Sequence, residues 1–224
     1  MRADLLALAD TRFPGGGHAH SGGVEEAIAR GVVSTVTDLR GFLRGRLQTA
    51  GELQAVFAAA AAHAAARGVA TEHWTVLDVE YDARTPSLAQ RDSSRAQGAG
   101  TLRAGKVAWP SAAVDRLAAT QPRPHHPIVL GVLLADPREA ALTAAYLAVS
   151  GPSAGGVRLL GLDPIAVNAA VASLGSEVER LADRAARHAG ADPAGLPAPV
   201  GPALDVLAEE HDRHHREEGR LFAS

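Results

Sequence analysis

Residues 10–26, DTRFPGGGHAHSGGVEE, separate a nucleotide-binding α/β chain from a helical one. Gly15, Gly16 and Gly17 free the backbone for positive φ or for close approach to a neighbour. Pro14 fixes the turn before them and holds Phe13 extended. Ser21 is a good helix cap, and Glu25 and Glu26 then fall in the first turns, where the helix dipole favours them. The phosphate patterns are absent. A Walker A loop requires Lys after its last glycine, and the single lysine, Lys106, lies far away. A dinucleotide loop follows a strand, whereas Leu5 to Asp10 reads as a short helix. The Gly-x-Ser-x-Gly elbow is missing too, since Ser21 follows His20. His18 and His20, two apart on a loop, make an incomplete metal site. His20 is read instead as hydrogen-bonded inside a tight backbone crossing.

Composition narrows the function classes. A chain of 224 residues with 46% hydrophobic content and mean hydropathy of −0.01 suits one globular domain spanning 1–224. Cys is absent, which excludes disulfides, thiolate metal sites and cysteine nucleophiles. The first residues do not read as a signal peptide, and no apolar stretch reaches membrane-span length, so a cytoplasmic protein without membrane association is expected. A net charge of −3 and 4% aromatic residues offer neither a basic surface nor stacking platforms for nucleic acid. The cations are nearly all Arg, which suits interface pairing and equally reflects a base-composition bias.

Beyond the loop, apolar residues recur at helical spacing. A first helix spans 22–30 and stops at Gly31. Thr37 is a candidate cap for the next, with Leu39, Phe42, Leu43 and Leu47 on one face and Gly51 a break or kink. Val56, Phe57 and an alanine run continue to Arg67. Trp74, Leu77 and Tyr81 stripe the helix after Thr71, and Pro86 stands near the start of another reaching Leu102. Lys106–Trp109 is the one β candidate. The prolines around His125 and His126 mark a turn. Asp136-Pro137 opens a helix with Leu142, Tyr146 and Leu147 as its core face, ended by Ser150-Gly151-Pro152. A further short helix covers 155–160. Asp163-Pro164 caps the stripe Val167, Val171, Leu174, Val178, Leu181. Residues 192–202 read as a flexible connector. The whole describes an all-α single-domain bundle of about eight to ten helices.

The last segment, 203–224, is strongly charged. His211, His214 and His215 stand at i, i+3 and i+4, so one helical face carries all three. With Glu210 or Glu218 they are candidate ligands for nickel or zinc, or else part of a solvated, ion-paired face. No set of residues supplies nucleophile, base and oxyanion donor together, so no enzymatic activity is expected.

Several of these stretches share a resemblance. Leu5 to Pro14, Gly16-Gly17 and His20-Ser21-Gly22-Gly23-Val24-Glu25 resemble the N-terminal signature of the UreF urease accessory proteins, Asp-Ser-x-Phe-Pro-x-Gly-Gly-aromatic-x-His-Ser-x-Gly-Leu-Glu. His18 departs from the aromatic residue usual there, and Thr11 and Val24 are mild changes. Leu77-Asp78, Arg91, Ser94, Gly98 and Leu102 are similar to a central family segment, and Arg158, Leu159 and Leu162 to a later one. Gly219-Arg220-Leu221-Phe222-Ala223-Ser224 resembles the family's closing Ser-Arg-Leu-Phe-x-Ser. The resemblance implies an α-helical homodimer that binds the accessory protein UreD (also called UreH). That platform would recruit the GTPase UreG and assist nickel insertion into apo-urease, holding no firmly bound cofactor of its own. It further implies that Arg220, Leu221, Phe222 and Ser224 meet UreD. Asp10, Phe13, Pro14, Gly16, His20, Ser21, Gly23 and Glu25 would shape the core and the adjoining interface, with Arg158 near the dimer or UreG-recruiting face. The alternatives are a direct nickel or zinc carrier using the C-terminal histidines, and a regulator of the UreG GTPase acting through an arginine such as Arg158.

Overall fold

The computed structural model describes residues 3–10, 13–15 and 21–221, with side chains for 6–10, 13–15 and 21–214. Every regular element among them is helical. The order is α1 (Ala3–Ala9), α2 (Val24–Ala29), α3 (Val36–Arg46), a π turn (Leu47–Gly51), α4 (Glu52–Arg67), α5 (Glu72–Ala83), α6 (Leu88–Ala108) and α7 (Ala112–Thr120). Then follow α8 (His126–Leu134), α9 (Pro137–Leu160), α10 (Pro164–Ser173), α11 (Gly175–Arg187), a 3₁₀ turn (Pro193–Gly195) and α12 (Pro202–Leu221). The all-α expectation holds, and the buried side chains form one continuous cluster.

The centre of that cluster is α4, packed against α8 and α9 and flanked by α11. Its alanine run, from Ala58 to Ala62, is buried throughout. Small side chains let helix axes approach closely, since axial separation follows the residues at the seam. Gly131 of α8 sits at the tightest point, where an added Cβ would lie 2.3 Å from the Ala58 carbonyl. The core face of α9 is accordingly made of Ala140, Ala141, Ala144, Ala145, Ala148 and Val149. This corrects the expected face of Leu142, Tyr146 and Leu147. Tyr146 is exposed, and the two leucines are only partly buried, because alanine fits a seam this narrow and larger residues do not.

A second correction concerns Pro152, expected to end a helix. It lies inside α9, which continues unbroken to Leu160 and absorbs the separate helix expected at 155–160. A helical proline has no N–H for the carbonyl four residues back, here that of Ala148. Arg46 fills the vacancy: its Nε donates to the Ala148 carbonyl at 3.0 Å, and its Nη1 donates to the Gly22 carbonyl at 2.9 Å. One side chain from α3 thus satisfies α9 and ties the glycine segment to it.

Smaller differences have local causes. Ser21 does not cap α2; Gly23 does, at φ 90°, a conformation that favours glycine. Thr35 rather than Thr37 caps α3, because Asp38 three residues on closes a reciprocal capping box with it. Gly51 ends a π turn within a continuous α3–α4 rod. Lys106–Trp109 is the last turn and cap of α6, not a strand. The stripe through Leu174 bends there, between α10 and α11. Residues 192–202 are pinned: Pro193 and Leu196 are buried, and Arg84 Nη2 donates to the Ala194 and Leu196 carbonyls at 2.8 and 3.2 Å.

Arg46→Met should cost about 1–3 kcal/mol in urea unfolding, because it strands two main-chain carbonyls. Pro152→Ala returns an N–H to the Ala148 carbonyl, so the same substitution should cost roughly 1 kcal/mol less in that background. An identical cost in both backgrounds would show that Arg46 does not compensate for the proline.

Candidate functional site

The glycine segment, the C-terminal helix and the end of α9 converge. Asp10 follows α1, and its carbonyl accepts from the Phe13 amide at 3.0 Å, closing a tight turn. The Phe13 ring lies 5.9 Å from that of Trp109 at the end of α6. Gly15 packs on α6 main chain to main chain, since a Cβ on Gly100 would stand 3.0 Å from the Gly15 carbonyl oxygen. Gly22 lies against Arg46 and Pro152 at φ 61°. Gly23 then turns α2 under α12, beside Leu204 and Leu207.

The α2–α12 contact is ionic at its outer end. Glu26 is buried and paired by Arg30 Nε at 3.0 Å and His214 Nδ1 at 3.2 Å. Glu25 lies 3.8 Å from His211 Nε2, and Arg30 also pairs with Glu210. Burial alone would raise the Glu26 carboxyl, yet Arg30 and His214 hold it below the ordinary range. His211 and His214 therefore share a face, as their spacing requires, and that face meets the carboxylates of α2.

Of the residues singled out from the sequence, Asp10, Phe13, Ser21, Gly23, Arg158 and His211 line one cavity of about 710 Å³. Pro14 is exposed beside it, and Glu25 stands on the α2–α12 contact. Gly16, His20, Phe222 and Ser224 lie outside the described residues, as do the side chains of His215, Arg220 and Leu221.

A second polar centre was not anticipated. Asp78 and Asp82, one turn apart on α5, meet Arg95 of α6 and His125, which caps α8. Arg95 Nη2 lies 2.8 Å from Asp78 and 2.6 Å from Asp82, and His125 Nε2 lies 2.9 Å from Asp82. The His125 amide donates to Asp78 at 3.2 Å, and its fully buried ring sits 4.4 Å from that of Tyr81. The sequence signal was available as two pairs four apart, Asp78/Asp82 and Arg91/Arg95, which place opposite charges on facing stripes. Among the described residues, Asp78, Asp82 and His125 are the group whose ligand atoms converge closely enough for a metal ion. Arg95 bridges both carboxylates and already balances the charge that they would offer a cation. The geometry is that of an ionic staple holding the 121–125 turn over α5 and α6.

The UreF family profile matches residues 33–175, from just before α3 to the start of α11. The chain belongs to the UreF family. It is 41% identical over 227 residues to the urease accessory protein UreF of Mycolicibacterium vanbaalenii, covering 99% of this chain and 98% of that protein. It is 39% identical over 218 residues to that of Mycobacterium tuberculosis, covering 96% of each. For Mycobacterium sp. strain JLS the figure is 42% over 224 residues, covering 98% and 97%. These full-length UreF alignments include the glycine segment and α12, both outside the profile match. Among the described residues no helix is long and apolar enough to cross a membrane.

The staple carries a pH dependence. Burial pushes the His125 imidazole below its ordinary pKa, against the pull of Asp78 and Asp82. The folded chain then holds His125 neutral where the unfolded chain protonates it, so stability falls as pH drops through about 6.5. Urea midpoints should decline between about pH 7 and 5. His125→Gln should flatten that decline, leaving a residue from His73, which burial also depresses. An unchanged slope in the variant would remove His125 as its source.

Proposed function

We propose that this UreF-family chain is a non-enzymatic scaffold in urease maturation. In this reading it forms a homodimer, binds UreD, and presents with it a surface that recruits the GTPase UreG for nickel insertion into apo-urease. Nickel is cargo handled by the assembled complex. Family membership supports the accessory role. The observation that carries the scaffold reading is the meeting of the two chain ends, α2 and its glycine segment under α12, at the Glu25–His211 and Glu26–His214 contacts. A helix anchored to the body as far as His214 and continuing to Leu221 is a suitable lever for a partner-binding end.

The reading assigns UreD contact to Arg220, Leu221, Phe222 and Ser224, and gives the UreG-facing surface to the side of Arg158. Asp10, Phe13, Pro14, Gly16, His20, Ser21, Gly23 and Glu25 support the platform on which α12 lies. Burial of Glu26 between Arg30 and His214 favours the ion-paired reading of the C-terminal histidines over the metal-carrier one, since His214 already has an anionic partner.

Light scattering after size exclusion, on this chain alone, co-expressed with UreD, and then with UreG and GTP, tests the proposal. A dimer that gains UreD and then UreG is expected. Deletion of residues 219–224 should abolish UreD association and leave the far-UV helical signal unchanged. A full-length chain that ignores UreD would overturn the scaffold reading. Undiminished association of the truncated chain would remove the tail from it.

A further inference from the structure

The C-terminal helix is attached to the body by charge more than by apolar burial. Among the described side chains of α12, those of 202–214, only Leu204 is buried, and Leu207 packs half-buried beside Gly23. By contrast, α4 buries almost every residue from Leu53 to Ala64. Polar contacts line both flanks of α12 instead. On one flank Glu209 reaches the start of α6, where its Oε1 accepts from Ser87 Oγ at 2.7 Å and from the Ala89 amide at 3.0 Å. One turn earlier, Asp205 Oδ1 accepts from Gln90 Nε2 at 2.9 Å. On the other flank Glu210, His211 and His214 pair with Arg30, Glu25 and Glu26.

These forces are finely opposed. A carboxylate at the first turn of a helix meets amides that the helix leaves unpaired and the positive end of its dipole, which favours Glu209 on α6. Docking also crowds two carboxylates together: burial, with Glu209 adding to it, pushes the Asp205 carboxyl above its ordinary range. Partly exposed ion pairs each contribute little, whereas apolar burial carries most of the stability of a packed helix. A helix with one buried leucine therefore opens at lower cost than the helices of the core. The chain before it supplies a hinge. Leu196 is buried and held by Arg84, while residues 197–201, PAPVG, have no regular structure up to the start of α12 at Pro202.

We propose that α12 is a clasp, docking and releasing as one unit about 197–201 while the rest of the fold stays closed. Its two fastenings are Glu209 on the start of α6 and His214 on Glu26 of α2. Release uncovers Ser87 and the Ala89 amide, the buried Glu26 carboxylate, and the bed beside Gly23 and Phe42. The clasp thus sets whether the α2–α12 platform is assembled. It is a property of the free chain and stands independently of the scaffold reading.

Hydrogen exchange of the full chain, followed by mass spectrometry in urea well below the unfolding midpoint, tests this. Amides of 205–214 should be about a hundredfold less protected than those of 53–64. Their exchange should also depend more weakly on urea, because release exposes less surface than global unfolding. Glu209→Gln neutralises an exposed side chain and should lower α12 protection several-fold, with the amides of 89–91 following and α4 unchanged. His214→Gln should act likewise on α12 and α2. The two variants probe opposite flanks, so a loss of α12 protection in either supports the clasp. Equal protection and equal urea dependence in α12 and α4 would show that α12 opens only with the whole fold, and would overturn it. Protection of α12 unchanged in both variants would overturn it as well.

Discussion

The structure depends on the satisfaction of one carbonyl. Pro152 leaves the Ala148 oxygen without its helical donor, in the middle of the long helix that forms one wall of the core. An unpaired carbonyl there would cost a desolvation penalty of about 1–3 kcal/mol. Arg46 supplies the missing donor from α3 and spends a second N–H on Gly22. Gly22 has no room for a side chain, since a Cβ would stand 2.9 Å from both Arg46 Cζ and Pro152 Cγ. Proline, arginine and glycine thus define one another, and the glycine segment takes its position from the helix defect. The π turn directly after Arg46 brings the same rod back to α9, with Gly51 close to Ala148.

Around this point the core is built from small residues. With 4% aromatic content, the chain has few large rings, among them Phe57 and Tyr81, which meet edge to face at 5.2 Å, with the His125 ring tilted against Tyr81 at 4.4 Å. Elsewhere alanine against alanine sets the distance between α4, α8 and α9. Such seams gain dispersion energy through the number of close contacts rather than through the size of each side chain. They are also intolerant of added volume, as Gly131 against the Ala58 carbonyl shows.

Two ionic clusters hold what the apolar core does not reach. Asp78, Asp82, Arg95 and His125 secure a proline-rich turn over two helices. Glu25, Glu26, Arg30, Glu210, His211 and His214 secure α12 against α2. In each, a buried carboxylate is accompanied by Arg, and its partner helix is fixed in rotation and register. Removing one member leaves an uncompensated buried charge, which costs more than the intact pair contributes.

The helices themselves were legible from residue order, because apolar spacing and local caps depend on neighbours three or four positions away. Asp136-Pro137 and Asp163-Pro164 opened α9 and α10, and Gly31 closed α2 at positive φ. The shared face of His211 and His214 followed from spacing in the same way. Where a distant residue intervened, local reading failed. Pro152 looked like a terminus because its compensating donor lies 102 residues away by sequence separation from Ala148. Residues 192–202 looked loose because the guanidinium of Arg84 is more than a hundred positions upstream. Tyr146 looked buried because spacing does not reveal how narrow a seam is. Sequence alone determined helicity, the family resemblance and the two unusual ends of the chain. Only tertiary structure decided that these ends meet, which histidines face carboxylates, and that Arg46 serves the carbonyl that Pro152 leaves open, because each is a contact between segments that no local rule connects.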